Sequence, residues 1–215
     1  MKKTKLIISI DGPAGSGKER IAKYIANKYN LFHLDSGVLY RRLAFLLIKE
    51  GINLNNEYLI SQYIKFIKVL SARYHPNLRK EIVSQTSSEI AKLQFVRNFI
   101  NKQQKLVVEN KLNAKKGCVV DGRDIGSKVF KEAKIKLYID VNIIIRAKRR
   151  HKQLIAMGEK SIYAQILKEM KLRDKNDKSR KNSPLVIPKG AIIIDNSSNF
   201  KKTINLINQA LNLIK

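Results

Sequence analysis

Ile10-Asp11-Gly12-Pro13-Ala14-Gly15-Ser16-Gly17-Lys18 follows an apolar run from Leu6 to Ile10 and precedes a segment with helical spacing at Ile21, Ala22, Tyr24, Ile25 and Ala26. A buried strand, a glycine turn and a helix in that order form a phosphate-binding loop: glycines let the backbone amides point inward, the helix presents its positive end, and Lys18 adds a full charge. The expected ligand is a nucleoside triphosphate, held by Gly12, Pro13, Ala14, Gly15, Ser16, Gly17 and Lys18. The loop pattern continues with a hydroxyl residue that ligates magnesium, whereas this chain continues with Glu19 and Arg20.

Further strands are expected at Leu31–Leu34, Gly117–Val120, Ile135–Ile139 and Ala191–Ile194. Helices are expected at Lys18–Tyr29, Val38–Glu50, Glu57–Leu70, Glu81–Leu93, Val96–Asn113, Ile143–Met157, Ser161–Asn176 and Phe200–Leu213. Strands alternating with helices imply an α/β fold of the P-loop NTPase kind, a central parallel five-stranded sheet flanked by helices. The chain of 215 residues, with no Pro/Ser/Gly linker and no repeat, reads as a single domain, 1–215. Residues 37–98 are too long for one crossover and are expected to form a helical insertion at the sheet's edge, and 146–160 a short basic lid hinged near Gly158.

The formal net charge is +27, but 32 of the 44 basic residues are lysines scattered through every segment, so no specific nucleic-acid partner is expected. No apolar run approaches the roughly 20 residues that span a bilayer. A single cysteine, Cys118, cannot form an internal disulfide, and the expectation is a cytoplasmic chain with no membrane partner and a monomer as the default state.

Two more turns carry charge. Asp35-Ser36-Gly37 closes the second strand and leads to Tyr40 and Arg41; it serves equally as an ordinary helix cap and as an anion site. Asp121-Gly122-Arg123-Asp124 follows Cys118-Val119-Val120, at the strand end where open parallel sheets bind ligands, with a carboxylate placed for magnesium and a guanidinium for phosphate. Arg173-Asp174-Lys175-Asn176-Asp177-Lys178-Ser179-Arg180 supplies further cations, a set suited to phosphoryl transfer.

These motifs, with Leu34-Asp35-Ser36-Gly37-Val38-Leu39-Tyr40-Arg41, Ser88-Glu89-Ile90-Ala91 and Val96-Arg97, resemble the bacterial cytidylate kinases over nearly the whole chain. The resemblance implies transfer of the γ-phosphoryl group of ATP to CMP or dCMP with magnesium as cofactor, and a helical monophosphate-binding insertion. It also implies roles. Ser36, Ser88, Arg97 and Asp124 contact the cytosine; Arg41, Arg123 and Arg180 hold the acceptor phosphate; Asp177 binds the ribose; Arg173 stabilises the transferring group; Asp121 orders magnesium's water; Arg146, Arg149 and Arg150 form the lid. The family has Gly-Lys-Gly-Thr or Gly-Lys-Ser-Thr where this chain has Glu19-Arg20. A carboxylate there is expected to repel ATP, offset by Arg20 or by direct ligation of the metal, and the alternative reading is a catalytically impaired nucleotide-binding or regulatory protein of the same fold. Between Lys65 and Arg79 the chain lacks part of the family's small β-rich flap.

Overall fold

The structure, a computed structural model, describes residues 6–112 and 115–212. Its strands are β1 (Leu6–Asp11), β2 (Phe32–Asp35), β3 (Gly117–Gly122), β4 (Ile135–Asp140) and β5 (Ile192–Asp195). All pair in parallel in the order β2-β3-β1-β4-β5, so β1 is central and the loop after it opens at the carboxyl edge of the sheet. The helices are α1 (Lys18–Tyr29), α2 (Ser36–Lys49), α3 (Glu57–Phe66), α4 (Glu81–Ile90), α5 (Gln94–Leu112), α6 (Ile143–Ala156), α7 (Tyr163–Ser179) and α8 (Phe200–Asn212). The predicted ends Asn113 and Leu213 lie outside the described residues.

Alternation along the strands sorts the core onto two faces. Ile8 and Ile10 of β1 and Val119 of β3 pack with Ile21 and Ile25 of α1 and Ile207 and Leu211 of α8. Cys118 and Val120 of β3 and Leu34 of β2 pack on the opposite face with Leu39, Leu43 and Leu47 of α2 and Ile100 and Val108 of α5. Each fully buried leucine there contributes roughly 1.5–3 kcal/mol. The insertion is therefore anchored in the same core as the sheet: Ile60, Leu70, Val83 and Ile90 belong to that second cluster. Cys118, on a strand flanked by two others, has its thiol pushed up to about 12 by burial.

Helix α3 stops at Phe66 rather than at the expected Leu70. The reason is Gln103 on α5, whose buried amide accepts a hydrogen bond from the Leu70 N–H at 2.9 Å and donates to the Lys68 carbonyl at 3.0 Å. Those backbone groups are satisfied from outside, and the chain runs extended to a 3₁₀ turn at Pro76–Arg79 with no strand between. Helix α4 ends at Ile90 rather than Leu93, and the carbonyl of Ala91 accepts from Arg97. After β3 a π turn, Ile125–Val129, takes the place of a regular helix. Among the described residues no helix is long and apolar enough to cross a membrane.

Candidate active site

The loop between β1 and α1 is held open by its neighbours. Lys18 donates to the Pro13 carbonyl at 3.1 Å, Arg146 to the Ala14 carbonyl at 3.0 Å and Asn196 to the Ser16 carbonyl at 2.7 Å. Three carbonyls are thus engaged, and no side chain caps the first turn of α1. The helix end keeps N–H groups for an anion. A Cβ on Gly12 would lie 2.5 Å from the Ile139 carbonyl oxygen, and one on Gly17, at φ +84°, would lie 2.5 Å from the Asn196 amide nitrogen; neither position accommodates a side chain.

Burial, reinforced by the charge of Arg123, brings the Lys18 ammonium down to about 7, against the opposing pull of Asp121 and Asp35. That set of mutual influences places the loop lysine in one electrostatic field with both acceptor-side turns. Arg173 belongs to it as well, lowered to about 10 by burial and by Arg123.

Glu19 and Arg20 turn elsewhere. The Glu19 carboxylate accepts from Lys23 at 2.8 Å and from Arg79 at 2.7 Å; burial raises its pKa, but these two bonds prevail and hold it at about 2. The Arg20 guanidinium sits 3.7 Å from the centroid of the Phe200 ring. The expectation that Arg20 offsets the carboxylate is corrected: Lys23 and Arg79 do so, while Arg20 is stacked on α8.

On the acceptor side, Asp35 caps α2 by accepting the Gly37 N–H at 2.8 Å and also accepts from Arg41 at 2.6 Å, so the cap and anion-site readings of this turn share one carboxylate. Ser36 is buried, and a Cβ on Gly122 would come within 2.5 Å of its Oγ, so Gly122 is required for the two turns to meet. Asp121 pairs in register with Asp35 across β2 and β3, and His33 Nε2 lies 2.7 Å from its Oδ1; burial raises the Asp121 carboxyl and His33 opposes the rise. Arg123 donates to Asp177 at 3.0 Å, and Arg180 donates to the other oxygen of the same carboxylate at 3.2 Å. Burial alone would raise Asp177, but Arg123, Arg180 and Arg173 hold it below the ordinary carboxylate range.

Arg97 and Asp124 form the most enclosed pair, 2.6 Å apart with side chains 2% and 5% exposed. The Arg97 guanidinium lies 5.7 Å from the centroid of the Tyr40 ring. Ser88 donates to the Ser84 carbonyl at 3.1 Å, one turn earlier on α4. Four donors in this region, Tyr40 Oη, Arg41 Nε, Arg97 Nε and Arg180 Nη2, are buried with no hydrogen-bond partner. Orphaned buried donors call for a ligand or ordered water.

The basic segment divides. Arg146 is buried, bound to the Val141 carbonyl at 2.9 Å and to both oxygens of Asp174, so it braces the loop from beneath. Arg149 donates to the Asn196 carbonyl at 2.8 Å, and Arg150 to Glu81 at 3.2 Å. Sequence reading passed over Asn196, which also accepts from Thr203 Oγ1 at 2.7 Å, and Asp11, whose two oxygens accept the N–H groups of Ile125 and Gly126 at 2.7 and 2.8 Å. Burial raises the Asp11 carboxyl to about 6 despite those bonds. The missed signal was position: Asp11, His33 and Asn196 each lie in the last residues of a parallel strand or just beyond one, where ligand-side residues gather.

A profile of the family described as Cytidylate kinase matches residues 8–215. The curated Cytidylate kinase of Rickettsia akari (strain Hartford) is 38% identical over 208 residues, 97% of this chain and 91% of the relative. That of Caldanaerobacter subterraneus subsp. tengcongensis is 34% identical over 197 residues, 87% and 86% of the two chains. Among solved structures, TT1252 from Thermus thermophilus superposes with a TM-score of 0.57 at 15% identity, covering 99% of this chain and all of the other, a likeness of fold alone. With the loop, the paired turns and the profile match extending almost end to end, the chain belongs to the cytidylate kinase family.

Proposed function

We propose that the chain transfers the γ-phosphoryl group of ATP to CMP or dCMP. An oxygen of the acceptor phosphate forms the new P–O bond, the bond to the β–γ bridging oxygen breaks, and ADP leaves with that electron pair. The acceptor is already an anion, so no general base is needed, and acceleration comes from alignment and charge neutralisation. The observation that carries this reading is the set of four unpartnered buried donors beside the loop lysine's electrostatic field. Arg41, Arg123 and Arg180 would take the acceptor phosphate, Ser36, Ser88, Arg97 and Asp124 the base, Asp177 the ribose and Arg173 the transferring group. Arg149 and Arg150 would face the donor, while Arg146 acts through the loop it braces.

Magnesium would arrive with the triphosphate. No cluster of three or more His, Cys, Asp or Glu among the described residues forms a metal cage, but Asp35 and Asp121 stand side by side at the strand ends, carboxylate oxygens that suit a hard cation held through water. The ion supplies neutralisation of charge on the β and γ oxygens. The impaired alternative drew on the loss of the loop hydroxyls to Glu19-Arg20; Lys23 and Arg79 neutralise the Glu19 charge, which removes the repulsion of ATP but supplies no hydroxyl.

A coupled assay of ADP release with ATP, magnesium and each of CMP, dCMP, UMP and AMP tests the proposal. Turnover confined to CMP and dCMP is expected; equal rates with all four, or none with protein that binds CMP, would overturn it.

Two further outcomes follow from the donor side. A bound triphosphate restores the Lys18 charge that burial suppresses, so binding takes up a proton. Affinity for ATP should weaken by up to about tenfold per pH unit as the pH rises above the free Lys18 pKa of about 7. Calorimetry at about pH 8 in two buffers of different ionisation enthalpy reads that uptake directly, because ATP itself is then fully ionised. Asn196→Ala removes the clamp on Ser16 and leaves the buried Thr203 hydroxyl short of a partner. KM for ATP should rise about tenfold while KM for CMP stays within about twofold; steady-state kinetics separates the two.

A further inference from the structure

Glu19 is foreign to the family's loop pattern, and its partner lies far away in sequence. Arg79 closes the 3₁₀ turn at the root of α4, 60 residues on, and reaches the Glu19 carboxylate at 2.7 Å. Its guanidinium also lies 5.7 Å from the Tyr74 ring centroid, and Asp35 adds to the pull of Glu19 on it. Arg79 thus contacts the donor loop's helix and feels the charge of the acceptor turn. Two residues later Glu81 opens α4 and accepts from Arg150 of α6 at 3.2 Å. The tripeptide Arg79-Lys80-Glu81 therefore meets α1 with its cation and the basic helix with its anion.

We propose that Glu19 is a positioning residue for the phosphoryl transfer: through Arg79 it draws the monophosphate-binding insertion onto the mouth of the phosphate loop. A charge that at first sight opposes ATP is turned sideways and used to close the acceptor arm. The proposal rests on the reading of that insertion as the CMP-holding arm. Both side chains are about one-third exposed, 37% for Arg79 and 32% for Glu19, so the pair biases how closely the root of α4 packs on α1 and does not lock it. An ion pair of that exposure shifts an equilibrium by about two- to fivefold. Lys23, which shares the carboxylate, lies on α1 itself and holds Glu19 in place without reaching the arm.

The test is a double-mutant cycle with Glu19→Gln, Arg79→Gln and the combination, with Arg79→Lys as the conservative variant, all checked for folding by circular dichroism. Amide hydrogen exchange over residues 78–90 in ligand-free protein is the first readout and does not depend on turnover. Each single change should speed that exchange by about two- to fivefold, the double should add nothing further, and Arg79→Lys should recover part of the protection. In kinetics, KM for CMP should rise by the same factor with KM for ATP unchanged. High salt should speed exchange more in the unaltered protein than in the Glu19→Gln variant, which keeps only the Arg150–Glu81 pair to be screened in this segment. Additive singles, or unchanged exchange with a lower KM for ATP in Glu19→Gln, would overturn the proposal and assign the carboxylate to the donor side. Coupled exchange in a protein with no CMP turnover would instead sink the kinase reading and its positioning role together, while showing that the contact exists.

Discussion

Lys18→Met should lower kcat by about 10³-fold, the scale of losing one preorganised electrostatic donor at a developing charge. Methionine keeps the length and apolar stem of lysine, so the loop should keep its course through Arg146 and Asn196, which grip it independently. Affinity for CMP should stay within about twofold, because the acceptor-side arginines are unchanged. Stability should move the other way. The ammonium is buried and held well below its ordinary pKa, so at neutral pH the unfolded chain binds its proton more firmly than the folded one and the charge opposes folding. Removing it should raise the unfolding free energy read from a urea titration by an amount on the order of 1 kcal/mol. A variant with lost turnover and raised stability is the pattern expected of a group placed for chemistry; lost turnover with lost stability would mark Lys18 as a structural residue.

Asp124→Ala should cost about 3–5 kcal/mol of stability, since it leaves a buried guanidinium without its carboxylate. Arg97 would retain only the Ala91 carbonyl, while its Nε already has no partner. Asp124→Asn keeps the volume and one acceptor oxygen and should fold more nearly as the parent does. The two variants separate packing from recognition: urea unfolding reads the first, and the ratio of kcat/KM for CMP over UMP and AMP reads the second. Loss of that ratio in a folded Asp124→Asn protein supports base reading by this carboxylate. An unchanged ratio would reduce the Arg97–Asp124 pair to a brace between α5 and the third turn.

The sequence made the architecture readable because its strands are short apolar blocks ending in charged residues, and every expected strand stands within two residues of its place. The loop at Gly12–Lys18 and the turns at Asp35 and Asp121 were legible for the same reason, since a polar group at the end of a buried strand has few explanations. What escaped was set by contacts between distant residues. Helical periodicity carried α3 to Leu70, and only Gln103, 33 positions on, explains why it ends sooner. Arg146 read as a mobile cation because its neighbours Lys148, Arg149 and Arg150 are basic, but Asp174 lies across from it on α7 and draws it under the loop. Glu19 read as a repulsive charge because local sequence could not supply Arg79. In each case the pattern gave the residue's chemistry, and the partner gave its direction.

The lone thiol of Cys118 has a practical corollary. It sits in β3 between two paired strands, with no exposed surface and its ionisation suppressed, so an alkylating reagent meets it only when the sheet itself comes apart. Its modification rate is a built-in clock for whole-molecule opening, slow at rest and fast in denaturant. The same silence leaves a blank background: a cysteine introduced at the exposed Val69 would be the sole reactive handle on the folded chain, and a dye placed there could follow the arm's motion without removing any native residue that matters to the core.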